Sequence, residues 1–549
     1  MESPTEKIKK KSIGLRGTLQ ESLQDEHTGA IREDDQALVK FHGMYLQDDR
    51  DKREERAAKK LERLYSFMLR LRLPGGFISA KQWEALHHVA GSYSTGVIKI
   101  TTRQTVQLHG ILKNNARAVH KDFNIALLDS IAACGDVNRN VVATAHPNAS
   151  PVHEEVYQYA QSLSSALLPK TRAYYEIWIE DEKVSEKAEE DPLYKDAYLP
   201  RKFKIAIAIP PFNDVDVMTN DVGLIAIVKE GKLIGFNVAV GGGMGATHGN
   251  AATYPRVATI FGYIKKEDVE KVVYTIATVQ RDYGNREDRK FSRIKYTLDR
   301  MGVDVFKKEV EARSGIVFEK EVPFKFETRY DDFGWKQNHE GKWYFTAYVE
   351  NGRVLDEENV QFKTAFLEIA EASLANFRFT CNQNIIVSDV SEKDKKTVDA
   401  ILKKYNVVQY TEKASLVRKG SVACVALNTC ALALAEAQRY MPSLMSKIEV
   451  VLAKHSLNDE NIVIRMTGCP NGCARPYIAE IGFVGTSLGH YNMHLGADHH
   501  GFRLNKLYKE SLDEAQILGE LDILFEKYAK RKLVNESFGD FVWREKIIV

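Results

Sequence analysis

A chain of 549 residues, 44% hydrophobic and 28% charged, is long enough to bury more than one large core and has the makeup of an ordinary soluble globular protein. Its 77 Lys and Arg against 75 Asp and Glu leave a formal net charge of +2, which gives no support to nucleic-acid binding and makes any cationic function a local one. The absence of any run of about eighteen apolar residues excludes an obvious membrane span, and the lysines of MESPTEKIKKKS precede no apolar stretch that would make a secretory signal. A cytoplasmic, reducing location is expected. There Cys134 and Cys381 read as small buried hydrophobes.

In chain order, residues 1–68 are polar and charge-rich, from the lysines at 9–11 to DDRDKREERAAKKLERL. They read as a mobile arm leading into a solvated helix. Beyond residue 68 the chain is organised by an internal repeat. IKITTRQTVQL (98–108) matches FRFTCNQNIIV (377–387) position for position, behind the helix-like segments KQWEALHHVAG and KTAFLEIAEAS. A second pair couples DVGLIAI and GFNVAVGGG (221–243) with EIGFVGT and YNMHLGAD (480–498). Such duplication predicts an α+β fold in two related halves, with a cofactor cleft at their pseudo-twofold seam. The expected units are the arm 1–68, paired repeats 69–131 and 337–411, a first half 132–336 and a second half 412–549.

Alternation in the first repeat puts Lys99, Thr101, Arg103, Thr105, Gln107 and His109 on one side of a strand, and Ile98, Ile100, Val106 and Leu108 mainly on the other. A wholly polar face is either the solvent side of an antiparallel sheet or the wall of a polar site. In LPRKFKIAIAIPP, Lys202 and Lys204 project one way and Phe203, Ile205 and Ile207 the other; paired strand lysines usually face water. The loop GGGMGATHG (241–249) nominally satisfies a dinucleotide fingerprint, but Thr247, His248, Gly249 and Pro255 continue poorly as a helix. A close backbone approach or a tight turn suits it better. In GNREDRKFSRIKYTLDR, Arg293 and Lys295 stand at alternate positions, open to salt bridging on a helix surface.

Four cysteines close the chemistry. Cys424 and Cys430 in CVALNTC, with Cys469 and Cys473 in MTGCPNGCAR, can wrap a cubane cluster, because each cluster iron takes one soft anionic sulfur from the chain. Zinc prefers two-to-four-residue spacing in both pairs, which CVALNTC fits poorly, and unrelated buried thiols are the third reading. Gly468 and Gly472 let the backbone approach a bulky core, and Pro470 removes an amide that would need a partner. ALALAEAQRY (431–440) is a strong helix former, so Cys430 is expected near a helix start whose amides favour a thiolate. The end, LVNESFGDFVWREKIIV, reads as strand or coil.

The cysteine motifs, together with FHGMYLQDDRD, LRLRLPGG, TTRQTVQLHG, DVNRN and LPRKFK in that order, resemble the sirohaem and 4Fe-4S sulfite and nitrite reductase family over residues 13–539. The resemblance implies ferredoxin-like repeats in pseudo-twofold arrangement about a sirohaem and 4Fe-4S cleft. It implies Cys424, Cys430, Cys469 and Cys473 as cluster ligands, with Cys473 also the axial ligand of the sirohaem iron. Arg72, Arg139, Lys202 and Lys204 are implied as the catalytic cations around sulfite, and Arg103, Gln107, His109, Arg293, Lys295 and Asn471 as sirohaem-binding residues. The reaction implied is six-electron reduction of sulfite. NADPH, FAD and FMN would enter only through a partner, a diflavin NADPH-dependent reductase subunit docked partly by the N-terminal arm. The alternatives are a ferredoxin-dependent sulfite or nitrite reductase and, from another class, a non-catalytic iron-sulfur electron carrier or a zinc-stabilised structural protein.

Overall fold

Among the residues described by the computed structural model, 2–170 and 191–548, the strands form four five-stranded sheets and one small hairpin. The four large sheets come in two like pairs. The first pair is antiparallel throughout. One sheet orders Met44–Asp48, Tyr65–Arg70, Val106–Ile111, Ile98–Ile100 and Arg353–Val354; the other orders Gly334–Gln337, Trp343–Ala347, Ile385–Val390, Asn376–Phe379 and Phe77–Ile78. Each takes its last edge strand from the other repeat, since Arg353 pairs with Lys99 and Phe77 with Arg378. A capping box, with Ser79 and Gln82 bonding each other's backbone, starts the helix Ala80–Tyr93. Its fully buried Trp83 meets the rings of Phe366 at 5.6 Å and Phe377 at 4.7 Å, which locks the two repeats together through their helices.

The second pair is mixed. Val142–Ala143, Ile205–Ala208 and Val222–Lys229 run parallel, and Lys232–Val240 and Thr259–Lys265 return antiparallel. Val422–Ala423, Ile464–Thr467 and Ile481–Ser487 repeat the parallel part, and His490–Leu495 and Lys506–Leu512 the antiparallel part. Parallel strands buried on both faces need near-continuous apolar runs. IAIA at 205–208 and VGLIAI at 222–227 supply them. Helices cover these sheets. In the second half, Leu444, Ile448 and Leu452 of Met441–Lys454 and Ile517, Leu521 and Leu524 of Glu514–Arg531 are buried at helical spacing.

Two terminal expectations are corrected. The N-terminal stretch is tied down rather than mobile. Its helix Pro4–Lys11 buries the Lys9 side chain completely, with Nζ 2.5 Å from Glu6, 3.5 Å from Asp136 and donating to the Leu199 carbonyl at 2.9 Å. Met44–Asp48 is a sheet edge, and only Arg53–Ala58 is the solvated helix expected. At the other end, Phe538–Arg544 is a helix, because Ser537 caps it and Phe538, Phe541 and Val542 pack on one face. One apolar core runs from Leu15 to Val408, and another from Val417 to Ile548. Residues 171–190, within the expected unit 132–336, lie outside the described residues. No described helix is long and apolar enough to cross a membrane.

Candidate active site at the seam

The parallel strands Val422–Ala423 and Ile464–Thr467 end side by side, with Ala423 in register with Met466. Both cysteine motifs therefore leave the same edge of the sheet. The Gly468 amide donates to Cys424 Sγ at 3.4 Å and the Asn471 side-chain amide to Cys469 Sγ at 3.5 Å. A Cβ at Gly468 would stand 2.5 Å from the Ala435 carbonyl, so only glycine fits there. All four thiols lie in one another's fields. Burial raises the pKa of Cys424 well above its ordinary value, and the charges of Cys473, Cys430 and Cys469 raise it further. Cys469 is pushed up to about 12 by burial and then by Cys473, and Cys430 is raised by the same two causes. Thiolates set this close together need a cationic core to hold them ionised. Among the described residues, no three His, Cys, Asp or Glu side chains converge as a single ion would require.

The helix expected at 431–440 does not form. The chain there wraps the cysteine turn, the Leu434 and Ala435 amides sharing the Gly468 carbonyl at 2.8 and 3.1 Å, and the Gln438 amide donating to the Cys424 carbonyl at 3.0 Å. Ala433, Ala435 and Ala437 are buried at every second position, a period helices cannot serve. The amides of Leu432 and Ala433 still donate to Cys430, from a turn instead of a helix start. Outside this loop, Arg50 Nη1 donates to the carbonyls of Cys430 at 3.1 Å and Ala433 at 2.6 Å, and Asn428 Nδ2 to Asp49 at 2.8 Å. The N-terminal QDDRD segment thus grips the first cysteine loop.

Cys473 is the exposed thiol of the set. It opens into a cleft whose lining includes Arg103, Lys202, Lys204, Arg293 and Asn471. Arg103 comes from a turn between strands, where Gln104 has φ +50°. It bonds Asn220 Oδ1 at 2.8 Å and the Ile205 carbonyl at 3.1 Å, and burial pushes its pKa down to about 10. Arg293 is buried against Asp221 at 2.8 Å, and Lys295 bonds the Gly245 carbonyl at 2.7 Å. Neither makes the helix-surface salt bridge left open by the sequence. The glycine loop opens no helix; it docks on the cysteine turn, the Ala246 amide meeting the Pro470 carbonyl at 2.9 Å.

Lys202 and Lys204 are the least compensated charges. Among the described residues no ion pair or hydrogen bond closes on either ammonium. Burial, then Arg201 and Arg293, lowers the pKa of Lys202; burial, then Lys202 and Arg103, lowers that of Lys204. With Arg103 Nε also unbonded, the cleft calls for an anion of several charges. A ring bearing carboxylates, with a small oxyanion above it, fits that demand.

The polar strand face is enclosed, not solvent-facing. Register aligns Arg70 with Gln107 and Gln107 with Lys99 across neighbouring strands. Gln107 donates to Met68 Sδ at 3.5 Å, and His109 Nδ1 meets Gln47 at 3.0 Å and Thr429 at 3.4 Å. Burial pushes His109 down to about 3 and keeps it neutral.

One carried-over residue is corrected. Arg72 does not line the cleft: its guanidinium bonds Asp129 at 2.8 Å and Ser164 at 3.2 Å instead. Arg70, in the same motif, lies instead in the field of Cys473. Burial works against its charge, while Cys134, Tyr45 and Cys473 sustain it. Arg70 donates to Cys134 Sγ at 3.2 Å, so that thiol is more than a small hydrophobe. Tyr45 lies in the fields of Cys134, Arg139, Arg70 and Arg201, and Arg139 is buried, bonding the Gly135 carbonyl at 2.8 Å. Alternation alone could not separate Arg70 from Arg72, since both fall on one parity; their side-chain partners decide.

Comparison with known proteins agrees with this architecture. The model for the nitrite and sulphite reductase 4Fe-4S domain matches residues 159–318, and that for the nitrite/sulfite reductase ferredoxin-like half domain matches 60–124 and 336–405. The first match holds none of the four motif cysteines, Cys424, Cys430, Cys469 and Cys473, which lie in the duplicate of that half. Proteins named sulfite reductase [NADPH] hemoprotein beta-component are similar over the whole chain: 65% identical in Leptospira biflexa, covering 100% of this chain and 99% of that one, and 50% in Bacillus subtilis, covering 100% and 96%. The structure of Mycobacterium tuberculosis NirA protein shares the fold, with a TM-score of 0.79 and 23% identity over 99% of this chain and 96% of that one.

Proposed function

Because the chain belongs to the nitrite and sulfite reductase family, we propose that it is the haemoprotein of an NADPH-dependent sulfite reductase, which reduces sulfite to sulfide by six electrons. The observation that carries this reading is Cys473, an exposed thiol at the cationic cleft whose charge also reaches Cys424, Cys430 and Cys469. Those four cysteines would hold a 4Fe-4S cluster, and Cys473 would also bind the sirohaem iron. When bound, the pair of groups would supply the one-electron transfers that the reduction of sulfite needs.

The chain's own side chains do the rest. Arg103, Arg293, Lys295 and Asn471 would receive the ring carboxylates, with Gln107 and His109 on the adjoining strand. Arg70 and Arg139 fork to sulfite oxygens, fixing the substrate's orientation. Lys202 and Lys204 neutralise the same oxyanion and, with lowered pKa, more readily pass a proton to an oxygen that leaves as water. A diflavin NADPH-dependent reductase is the proposed electron donor, and the cytoplasm the proposed compartment.

Protein made in sirohaem-competent cells should show reduced-tetrapyrrole and cluster absorption, and Cys473→Ser should abolish magnetic coupling between the two. A colourless preparation would overturn the cofactor assignment. A specificity constant much higher for nitrite than for sulfite would overturn the substrate.

A further inference from the structure

We propose that Asp216 is the positioning residue that sets the 469–473 turn against the cationic cleft. The proposal rests on Cys473 being the shared sulfur ligand. Asp216 is completely buried, and three guanidiniums converge on its carboxylate. Arg329 places Nε at 2.8 Å and Nη2 at 2.6 Å from Oδ1; Arg475 Nε stands 2.7 Å from Oδ2, and Arg465 Nη1 donates to the same oxygen. Burial alone would raise the carboxyl pKa, but the three arginines hold it below the usual carboxylate range.

The partners matter more than their number. Arg465 lies on the strand that enters the cysteine turn, and Arg475 follows its last cysteine by two positions. A single carboxylate of the first half therefore ties both ends of a turn in the second half. Arg475 extends the tie, its Nη1 donating to the Thr102 carbonyl at 3.1 Å and its Nη2 to the Cys381 carbonyl at 2.9 Å. Thr102 Oγ1 in turn donates to the Cys473 carbonyl at 3.0 Å. Arg329 Nη1 secures the Ile478 carbonyl beyond the turn at 2.8 Å.

Duplication explains how the hub arose. Asp216 and Arg475 each precede a short 3-10 turn, Val217–Thr219 and Pro476–Ile478, that feeds the central strand of its sheet. Both adopt left-handed backbone, with φ +47° and +57°. They occupy equivalent places in the two halves, and one has become an acid where the other is a base. Their ion pair joins the halves across the seam.

Asp216→Asn keeps the shape and removes the charge. In the holoprotein it should retain both cofactors, lose magnetic coupling in a large fraction of molecules, and lower kcat roughly tenfold to a hundredfold with little change in KM for sulfite. In cofactor-free protein, where buried Cys469 should resist iodoacetamide and exposed Cys473 react, the variant should lose that preference. Coupling and alkylation preference equal to the unaltered protein would overturn the proposal. If Asp216→Asn fails to fold, Arg465→Lys, which keeps the charge and loses the fork, should show the same losses in smaller measure; unchanged values there would overturn it equally. Absence of coupling in the unaltered protein would instead sink the shared-sulfur reading.

Discussion

Lys202 and Lys204 show what a single side chain can demand of a ligand. Each is half-buried with no ion pair or hydrogen bond at its ammonium among the described residues, and each has its pKa lowered from 10.5, first by desolvation. A lysine depressed in the folded state releases its proton on folding. Its contribution to stability is therefore fully present above 10.5 and is lost as pH falls through the folded value. Cofactor-free protein should accordingly gain thermal stability as pH rises through the alkaline range, and the slope should flatten when both lysines are changed to Met. Lys204→Met should also lose sulfite turnover while keeping both cofactors. Arg70 and Arg72 separate in a parallel test. Arg70→Ala should cost roughly a hundredfold in turnover, whereas Arg72→Ala, at a partly exposed ion pair, should cost ~1 kcal/mol in urea unfolding and leave turnover intact. The cation set was legible as a motif in the sequence, but the choice between two arginines of one parity was not. It depends on side-chain partners distant in the chain, Cys134 for Arg70 and Asp129 for Arg72.

At the scale of elements, the N-terminal helix Pro4–Lys11 supports the site from behind. Its Lys9 neutralises Asp136, which also holds Arg289 at 2.7 Å and lies three residues before Arg139. Lys9→Met should cost ~3 kcal/mol, because it leaves buried carboxylates short of one charge. Equilibrium denaturation measures this, and a cost below ~1 kcal/mol would mean the helix is a loosely held arm. Composition made the segment look solvated because it is rich in charge. Two of its charges, Glu6 and Lys9, are inside, paired with Arg286 and Asp136 from distant parts of the chain that local sequence does not reveal. The segment 431–440 errs in the same direction. Its alanines favour a helix by propensity, yet the Gly468 carbonyl and the cysteine turn draw the backbone into a wrap.

At the scale of the molecule, strand exchange makes the repeats interdependent. Phe77–Ile78 completes the sheet of the second repeat, and Arg353–Val354 that of the first. A fragment of residues 337–411 alone should remain largely unfolded by circular dichroism. Co-expression with residues 60–124 should restore sheet structure, since each supplies the other's edge and Trp83 closes the shared core. A fragment folding alone with a sharp thermal transition would show the exchange to be dispensable.

The duplication, the paired cysteine motifs and the cationic strand were determined by the sequence itself, because each is a pattern of residue types at short spacing or a direct internal match, and the family was legible through the resemblance of its ordered motifs. Tertiary structure alone decided which arginine lies in the field of Cys473, why 431–440 is not helical, and that Asp216 pairs with arginines at both ends of the cysteine turn. Those outcomes depend on contacts between residues as far apart as Asp216 and Arg475. Their energy comes from burial and charge pairing at a seam that exists only after the two halves have folded together.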